Sequence, residues 1–176
     1  SENMTARGAY IAAGEAGGRQ VTLMASGSEV GIAMSAREIL AVDGITATVV
    51  SVPCMELFRQ QNAAWQKMVL GTAPRVAIEA AIRQPWDRIL GENDAFVGMD
   101  DFGASAPAGD LFQHFGITAD AIVASSTLTI SADSASSAAT GDTASDNTSS
   151  ALAAATTSAF ASTTVATTTL ATTTLA

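Results

Sequence analysis

The stretch Val21-Thr-Leu-Met-Ala-Ser-Gly-Ser-Glu29 decides the fold, because it leads from a buried strand directly into a helix. The apolar run from Val21 to Ser26 is typical of a strand that is covered on both faces. Ser26-Gly-Ser-Glu29 has the spacing of a capping box, in which Glu29 bonds back to the Ser26 backbone. Apolar residues then recur at helical spacing as far as Asp43-Gly44, which predicts the end of the helix.

The same alternation of strand and helix continues along the chain. Further strands are predicted at 45–52, 75–80 and 95–99, helices at about 62–70, 105–115 and 118–125, and a helical turn at 86–90. Strands that alternate with helices indicate a parallel sheet with helices on both faces. We therefore predict an α/β fold, a three-layer sandwich with a mostly parallel, five-stranded sheet.

Charge and cysteine content exclude several classes of protein. The chain of 176 residues has a formal net charge of −9, its only lysine is Lys67, and its arginines are scattered, so we expect no nucleic-acid partner. Cys54 is the single cysteine and has no partner for an intrachain disulfide. We expect no membrane span and no signal peptide. The chain starts at Ser1 and not at Met. We expect either a fragment of a longer polypeptide, an N-terminus processed after synthesis, or an N-terminus chosen for expression.

Composition changes at Ile130. Residues 131–176 consist mostly of Ala, Thr and Ser and contain no Lys, Arg, Glu, Gln or Pro. A disordered tail or a mucin-like stalk is normally rich in several of these residues. We expect one domain over residues 1–130 and set 131–176 apart as a segment of doubtful sequence to which no function is assigned.

The best candidate for a small-ligand site is the turn Ser26-Gly27-Ser28. It lies between a predicted strand and a helix N-terminus, where free amides and the helix dipole favour anions. Neither the dinucleotide fingerprint nor the P-loop pattern is present, and helix capping alone also explains these residues. We therefore predict a possible anion site at Ser26, Gly27 and Ser28.

A second pattern, Gly103-Ala-Ser-Ala-Pro107, is similar to a hydrolase nucleophile elbow. The single histidine, His114, follows Ser105 by nine residues along the same predicted helix. That separation is about 13 Å, well beyond hydrogen-bond reach. We interpret Ser105 as a helix N-cap instead, with Pro107 in the first turn.

Other candidate residues have structural explanations that we favour. Glu79 and Asp100-Asp101 follow predicted strands at the edge where open α/β sheets bind ligands, but a magnesium site needs further oxygen ligands. We expect Glu79 to accept hydrogen bonds from loop amides, and the aspartates to be solvated or to cap a helix. One histidine and one cysteine do not make a zinc site, so Cys54 is expected to be a small buried residue. Trp65 and Trp86 are predicted packing anchors, with a subunit interface as the alternative.

Four blocks in this order resemble the C-terminal domain of transketolases. They are Ala6-Arg-Gly-Ala-Tyr10, Ala25-Ser-Gly-Ser-Glu-Val30, Val49-Val-Ser-Val-Pro-Cys-Met-Glu-Leu-Phe58 and Phe102-Gly-Ala-Ser-Ala-Pro-Ala-Gly-Asp-Leu-Phe-Gln-His-Phe-Gly116. The resemblance covers about residues 6–125. Ile82-Arg-Gln-Pro85 and the sequence after Ser125 depart from the family pattern.

The resemblance implies a C-terminal fragment of a cytoplasmic, homodimeric enzyme that moves a two-carbon ketol unit between sugar phosphates. Thiamine diphosphate and a divalent metal, Mg or Ca, would be held by the N-terminal and middle domains. This chain would contribute no catalytic, cofactor-binding or metal-binding residues and would pack against those domains. The alternatives are the same domain of a 2-oxo acid dehydrogenase β subunit or a deoxyxylulose phosphate synthase, and a stand-alone module that binds a phosphorylated metabolite.

Overall fold

The computed structural model describes residues 3–140. Its strands are β1 (Tyr10–Ala13), β2 (Val21–Ala25), β3 (Ala47–Ser51), β4 (Arg75–Ile78) and β5 (Ala95–Val97). Its α-helices are α1 (Glu29–Val42), α2 (Met55–Arg59), α3 (Ala63–Leu70), α4 (Ala108–His114) and α5 (Ala119–Thr140), with 3-10 helices at Met4–Arg7 and Gln84–Arg88. The five strands lie in the order β1-β3-β2-β4-β5, and only the β1–β3 pair is antiparallel.

Both faces of the sheet are covered, as the predicted three-layer fold requires. Alternate residues of β2 point to opposite sides, so Leu23 packs in one core with α1 and α5, and Met24 packs in the other. The second core is closed by Phe58 of α2, Val69 of α3 and Trp86. The predicted α/β class, the five strands and the mostly parallel pairing are therefore confirmed.

Two elements were not located from the sequence. β1 is a short edge strand whose Tyr10 pairs with Ser51, and its alanine-rich sequence has no strong strand signal. The helix α2 has only 5 residues, so its sequence is too short to show the apolar periodicity of a helix. Both elements depend on contacts with distant parts of the chain.

The predicted start of α4 is wrong. The helix begins at Ala108 with Pro107 as its N-cap, and Ser105 is exposed in the preceding loop without capping it. The proline explains the difference, because the residue before a proline is disfavoured in the α region. Ala106 therefore cannot serve as a first helical residue.

Helix α5 is much longer than the predicted 118–125. It continues to Thr140, past the compositional change at Ile130. Its hydroxyls donate to carbonyls one turn earlier, as Ser126 does to Ile122 at 2.7 Å and Ser134 to Ile130 at 2.9 Å. These bonds satisfy side chains that would otherwise favour loops. The boundary at residue 130 stays a prediction, and residues 141–176 of that call lie outside the described residues.

One stretch, Ala108–Ser137, is long and apolar enough to cross a membrane by length and composition, contrary to the expectation that no such stretch exists. In the structure this stretch is divided between the two helices α4 and α5. Gly116, with φ +68°, lies in the break between α4 and α5. Ile117 and Ile122 are buried in the core shared with α1. We interpret α5 as a packing helix of this domain.

The segment before β1 is fixed firmly to the domain. The Gly8 carbonyl accepts from Cys54 N at 3.0 Å, and the Arg7 guanidinium lies 4.2 Å from the ring centroid of Trp65. The Trp65 indole in turn donates to the Ala9 carbonyl at 3.2 Å. Gly8 has φ +81°, and a Cβ there would collide with the backbone of α2.

Candidate functional site

A cleft opens at the carboxyl edge of the sheet, where α/β domains commonly bind ligands. Its volume is about 700 Å³, and it is lined by Ser26, residues 52–56, Glu79 and residues 84–88. The ends of β2, β3 and β4 form its floor because their parallel register brings these ends side by side. The 3-10 helix Gln84–Arg88 forms one wall.

Glu79 is the best-anchored polar group of this cleft. The Ser26 hydroxyl donates to Glu79 Oε1 at 3.0 Å, and the buried Trp86 indole donates to Oε2. The Glu79 amide continues the sheet by donating to the Val97 carbonyl at 3.1 Å. The predicted loop-amide partners of Glu79 are therefore wrong, because two side chains from other elements occupy its oxygens. This carboxylate therefore joins the ends of β2 and β4 to the 3-10 helix Gln84–Arg88.

The predicted capping box at Ser26 and Glu29 is also wrong. Ser28, not Ser26, is the N-cap of α1, and its side chain makes no capping hydrogen bond. The Ser26 hydroxyl is drawn away by Glu79, and the Ser28 hydroxyl donates to Glu29 Oε2 at 3.3 Å. Only the Glu29 amide donates back to the Ser26 carbonyl, at 3.2 Å.

The anion site at Ser26, Gly27 and Ser28 stays a prediction. The structure brings the three residues together in a turn in which Gly27 has φ +51°. However, both hydroxyls already donate to carboxylates, and the Glu29 carboxylate is buried beside the turn. An anion would meet two negative charges here, so the geometry does not favour it.

The remaining candidates lie apart from the cleft. Asp100 and Asp101 are exposed, and Asp101 Oδ1 accepts from the Phe102 amide at 2.7 Å. His114 is exposed with its ring edge-on to Phe115, and no hydrogen bond joins it to Ser105 within residues 3–140. No group of three His, Cys, Asp or Glu side chains in the described part of the chain could hold a metal ion.

Cys54 differs from its expected burial. It is half-buried in the wall of the cleft, and its thiol lies 3.7 Å from Glu56 Oε2 as a hydrogen-bond donor. Trp86, in contrast, is 1% exposed and is the packing anchor that the sequence predicts. Trp65 is half-buried and is covered by Arg7.

Comparison with known proteins decides the family. A family model described as a transketolase-like TK C-terminal domain matches residues 8–118. The chain belongs to the transketolase C-terminal domain family. The match confirms the resemblance that the four sequence blocks indicate and agrees with the order of strands and helices.

Full-length relatives of this transketolase domain are considerably longer. The chain is 60% identical over 124 residues to a transketolase of Cereibacter sphaeroides, an alignment that covers 70% of the chain and 19% of the relative. It is 46% identical over 121 residues to transketolase 1 of Escherichia coli K12, covering 68% of the chain and 18% of that protein.

A solved structure of a transketolase from Leishmania mexicana superimposes with a TM-score of 0.67 at 36% identity. That superposition covers 73% of the chain and 19% of the Leishmania protein. The transketolase domain described here thus spans about a fifth of the length of the relatives that it matches.

Proposed function

We propose that this chain acts as the C-terminal domain of a thiamine diphosphate-dependent transketolase, which transfers a two-carbon ketol unit between sugar phosphates. The match of the family model to residues 8–118 carries this proposal. The relatives compared are named transketolases, which favours this enzyme over other thiamine-dependent enzymes. The domain itself is structural and is not catalytic alone.

The carboxyl-edge cleft does not fit thiamine diphosphate. A diphosphate needs cations or a metal, yet among the described residues the cleft carries the carboxylates of Glu56, Glu79 and Asp87 and the single cation Arg88. Both oxygens of Glu79 are already engaged. We therefore assign the cofactor and its divalent metal, Mg or Ca, to the N-terminal and middle domains of the enzyme.

Exposed apolar side chains support a role in packing against those domains. Phe102 is 92% exposed in the loop after β5, and Ile82 is 53% exposed in the loop after β4. Both loops leave the carboxyl edge of the sheet, and burial of one such side chain contributes about 1.5–3 kcal/mol. The occupant that we propose is the catalytic part of the transketolase, because the relatives extend far beyond this domain.

The same assignment extends to the oligomeric state, the location and the partners of the enzyme. The full enzyme is expected to be a homodimer in the cytoplasm, with this domain enlarging the contact between subunits. The net charge of −9 disfavours a nucleic-acid partner, and the packing of α5 supports an assignment without a membrane.

The proposal is tested by an assay of the chain alone. Purified chain is mixed with thiamine diphosphate, Mg²⁺, a ketose phosphate donor and an aldose phosphate acceptor, and ketol transfer is followed. The E. coli relative at equal concentration is the positive control. We expect no transfer above the enzyme-free rate; transfer that scales with the concentration of this chain would refute the non-catalytic role.

A further inference from the structure

A second depression lies at the amino edge of the sheet, on the opposite side from the cleft. It has a volume of about 480 Å³ and separates the turn at residues 16–19 from the C-terminal end of α3. Its lining consists of residues 16–19, Ala64, Lys67, Met68 and residues 71–73. The two charged side chains among these are Arg19 and Lys67, and both are cationic. We call this depression the cationic groove.

The charge of the groove contrasts with that of the whole chain. The chain has a net charge of −9, and Lys67 is its only lysine. Over residues 3–140, the cleft at the carboxyl edge has three carboxylates in its lining, whereas the cationic groove has none. Asp133 lines a neighbouring depression that shares Arg19 and Thr72, but it does not line the groove itself.

Arg19 carries positive charge that its protein partners do not fully balance. Its Nη1 donates to the Val69 carbonyl at 2.9 Å and its Nη2 to the Met68 carbonyl at 2.7 Å, at the end of α3. A helix C-terminus supplies about half a negative charge, so part of the guanidinium charge is unmatched. The pKa of Arg19 is lowered, mainly by burial and to a smaller extent by the positive charge of the nearby Arg75. Both effects destabilise the charged guanidinium. Its Nε is buried and has no partner in the described part of the chain.

Two glycines, Gly17 and Gly18, also line the groove. Within residues 3–140 the amides of Gly17 and Gly18 donate to no protein acceptor. A Cβ at either glycine would meet nothing within 4 Å, so a ligand can approach this backbone closely. Gly18 has φ +72°, a conformation that glycine adopts without strain.

We propose that the cationic groove binds the phosphate group of a small phosphorylated molecule. Two cations from separate elements, together with free amides, match the charge and the several acceptors of a phosphate dianion. The volume of about 480 Å³ leaves room for an attached organic group. This site is distinct from the turn at Ser26–Ser28, and its existence does not depend on the proposed function of the domain.

The test is a titration of the full chain with inorganic phosphate at pH 7.5, with ionic strength held constant by sodium chloride. Amide chemical shifts report the location of binding and give the dissociation constant. We expect the largest shifts at Gly17, Gly18 and Thr72. Lys67→Gln, at an exposed position, should weaken phosphate binding about two- to fivefold, because one charge contact is lost.

Arg88→Gln is the matched control, since it removes an exposed cation from the carboxyl-edge cleft instead. It should leave the dissociation constant unchanged. Equal weakening by both substitutions, shifts centred on Ser26–Ser28, or the absence of saturable shifts would each overturn the proposal.

Discussion

Glu79, directly after β4, accepts a hydrogen bond from the indole of Trp86, seven residues later in the 3-10 helix. The second carboxylate oxygen accepts from Ser26, which follows β2 on the neighbouring strand. One buried aromatic side chain, one carboxylate and one hydroxyl thus join three elements at the carboxyl edge. This arrangement joins the floor of the cleft to the wall formed by the 3-10 helix.

Glu79→Gln should destabilise the domain by about 1–3 kcal/mol, because the amide nitrogen of glutamine cannot accept one of the two hydrogen bonds. Urea unfolding of the chain, followed by circular dichroism, measures the change in the free energy of unfolding. Glu56→Gln is the control, since Glu56 is an exposed carboxylate of the same cleft and should change stability by less than about 0.5 kcal/mol. Equal effects of the two substitutions would contradict the role given to Glu79.

Trp86→Phe tests the partner in the same pair. The substitution removes the indole donor and leaves a small void, so we expect a loss of about 1–3 kcal/mol in the free energy of unfolding. In the double variant with Glu79→Gln, the loss of stability should be smaller than the sum of the two single losses by at least about 0.5 kcal/mol, because both substitutions break the same interaction. Strict additivity in the double-mutant cycle would show that the contact stabilises nothing.

Gly8→Ala should destabilise the domain by about 2 kcal/mol or more. The residue has φ +81°, and the new Cβ would collide with the backbone around Cys54 and Phe58. Gly31→Ala is the matched control, because Gly31 lies inside α1 and a Cβ there meets nothing within 4 Å. The Gly31→Ala substitution should raise the free energy of unfolding by about 0.5–1 kcal/mol. Thermal unfolding distinguishes the two variants, and a Gly8→Ala protein as stable as the parent would contradict the fixed junction.

Phe102→Ala should leave the isolated chain as stable as the parent, within about 0.5 kcal/mol, because its ring is 92% exposed. It should nevertheless weaken association with the catalytic domains about tenfold, because the docking proposed above buries the ring. Val42→Ala removes a comparably exposed side chain, 88% accessible, at the end of α1. Titration calorimetry with a transketolase lacking its C-terminal domain compares the variants, and equal affinities would refute docking through Phe102.

Local signals in the sequence predicted the elements that depend on local contacts. The helix predicted at about 62–70 is α3, where Asn62 Oδ1 accepts from the Trp65 amide at 2.8 Å, and α1 ends before Asp43-Gly44 as predicted. Gly71 follows α3 with φ +66°. These features are determined within a few residues of the chain, where spacing and turn chemistry are informative.

The features that the sequence does not predict correctly involve residues whose partners are distant in the sequence. The spacing of Ser26 and Glu29 predicts a capping box, yet the Ser26 hydroxyl donates to a carboxylate 53 residues away. The strand β1 exists because Tyr10 pairs with Ser51, and a short alanine-rich segment gives no sign of that pairing. The sequence gives no sign of the cationic groove for the same reason, because Arg19 reaches Lys67 only by binding the Met68 and Val69 carbonyls of α3, about 50 residues away.

The central claim is that this domain supports catalysis carried out by other domains. The most direct measurement is the ketol-transfer rate of the E. coli relative without the part that matches this chain, with and without this chain added. We predict that saturating amounts of the chain raise the rate of the truncated enzyme at least about tenfold, while the chain alone has none. An unchanged rate, with the truncated enzyme folded and loaded with thiamine diphosphate, would contradict the account.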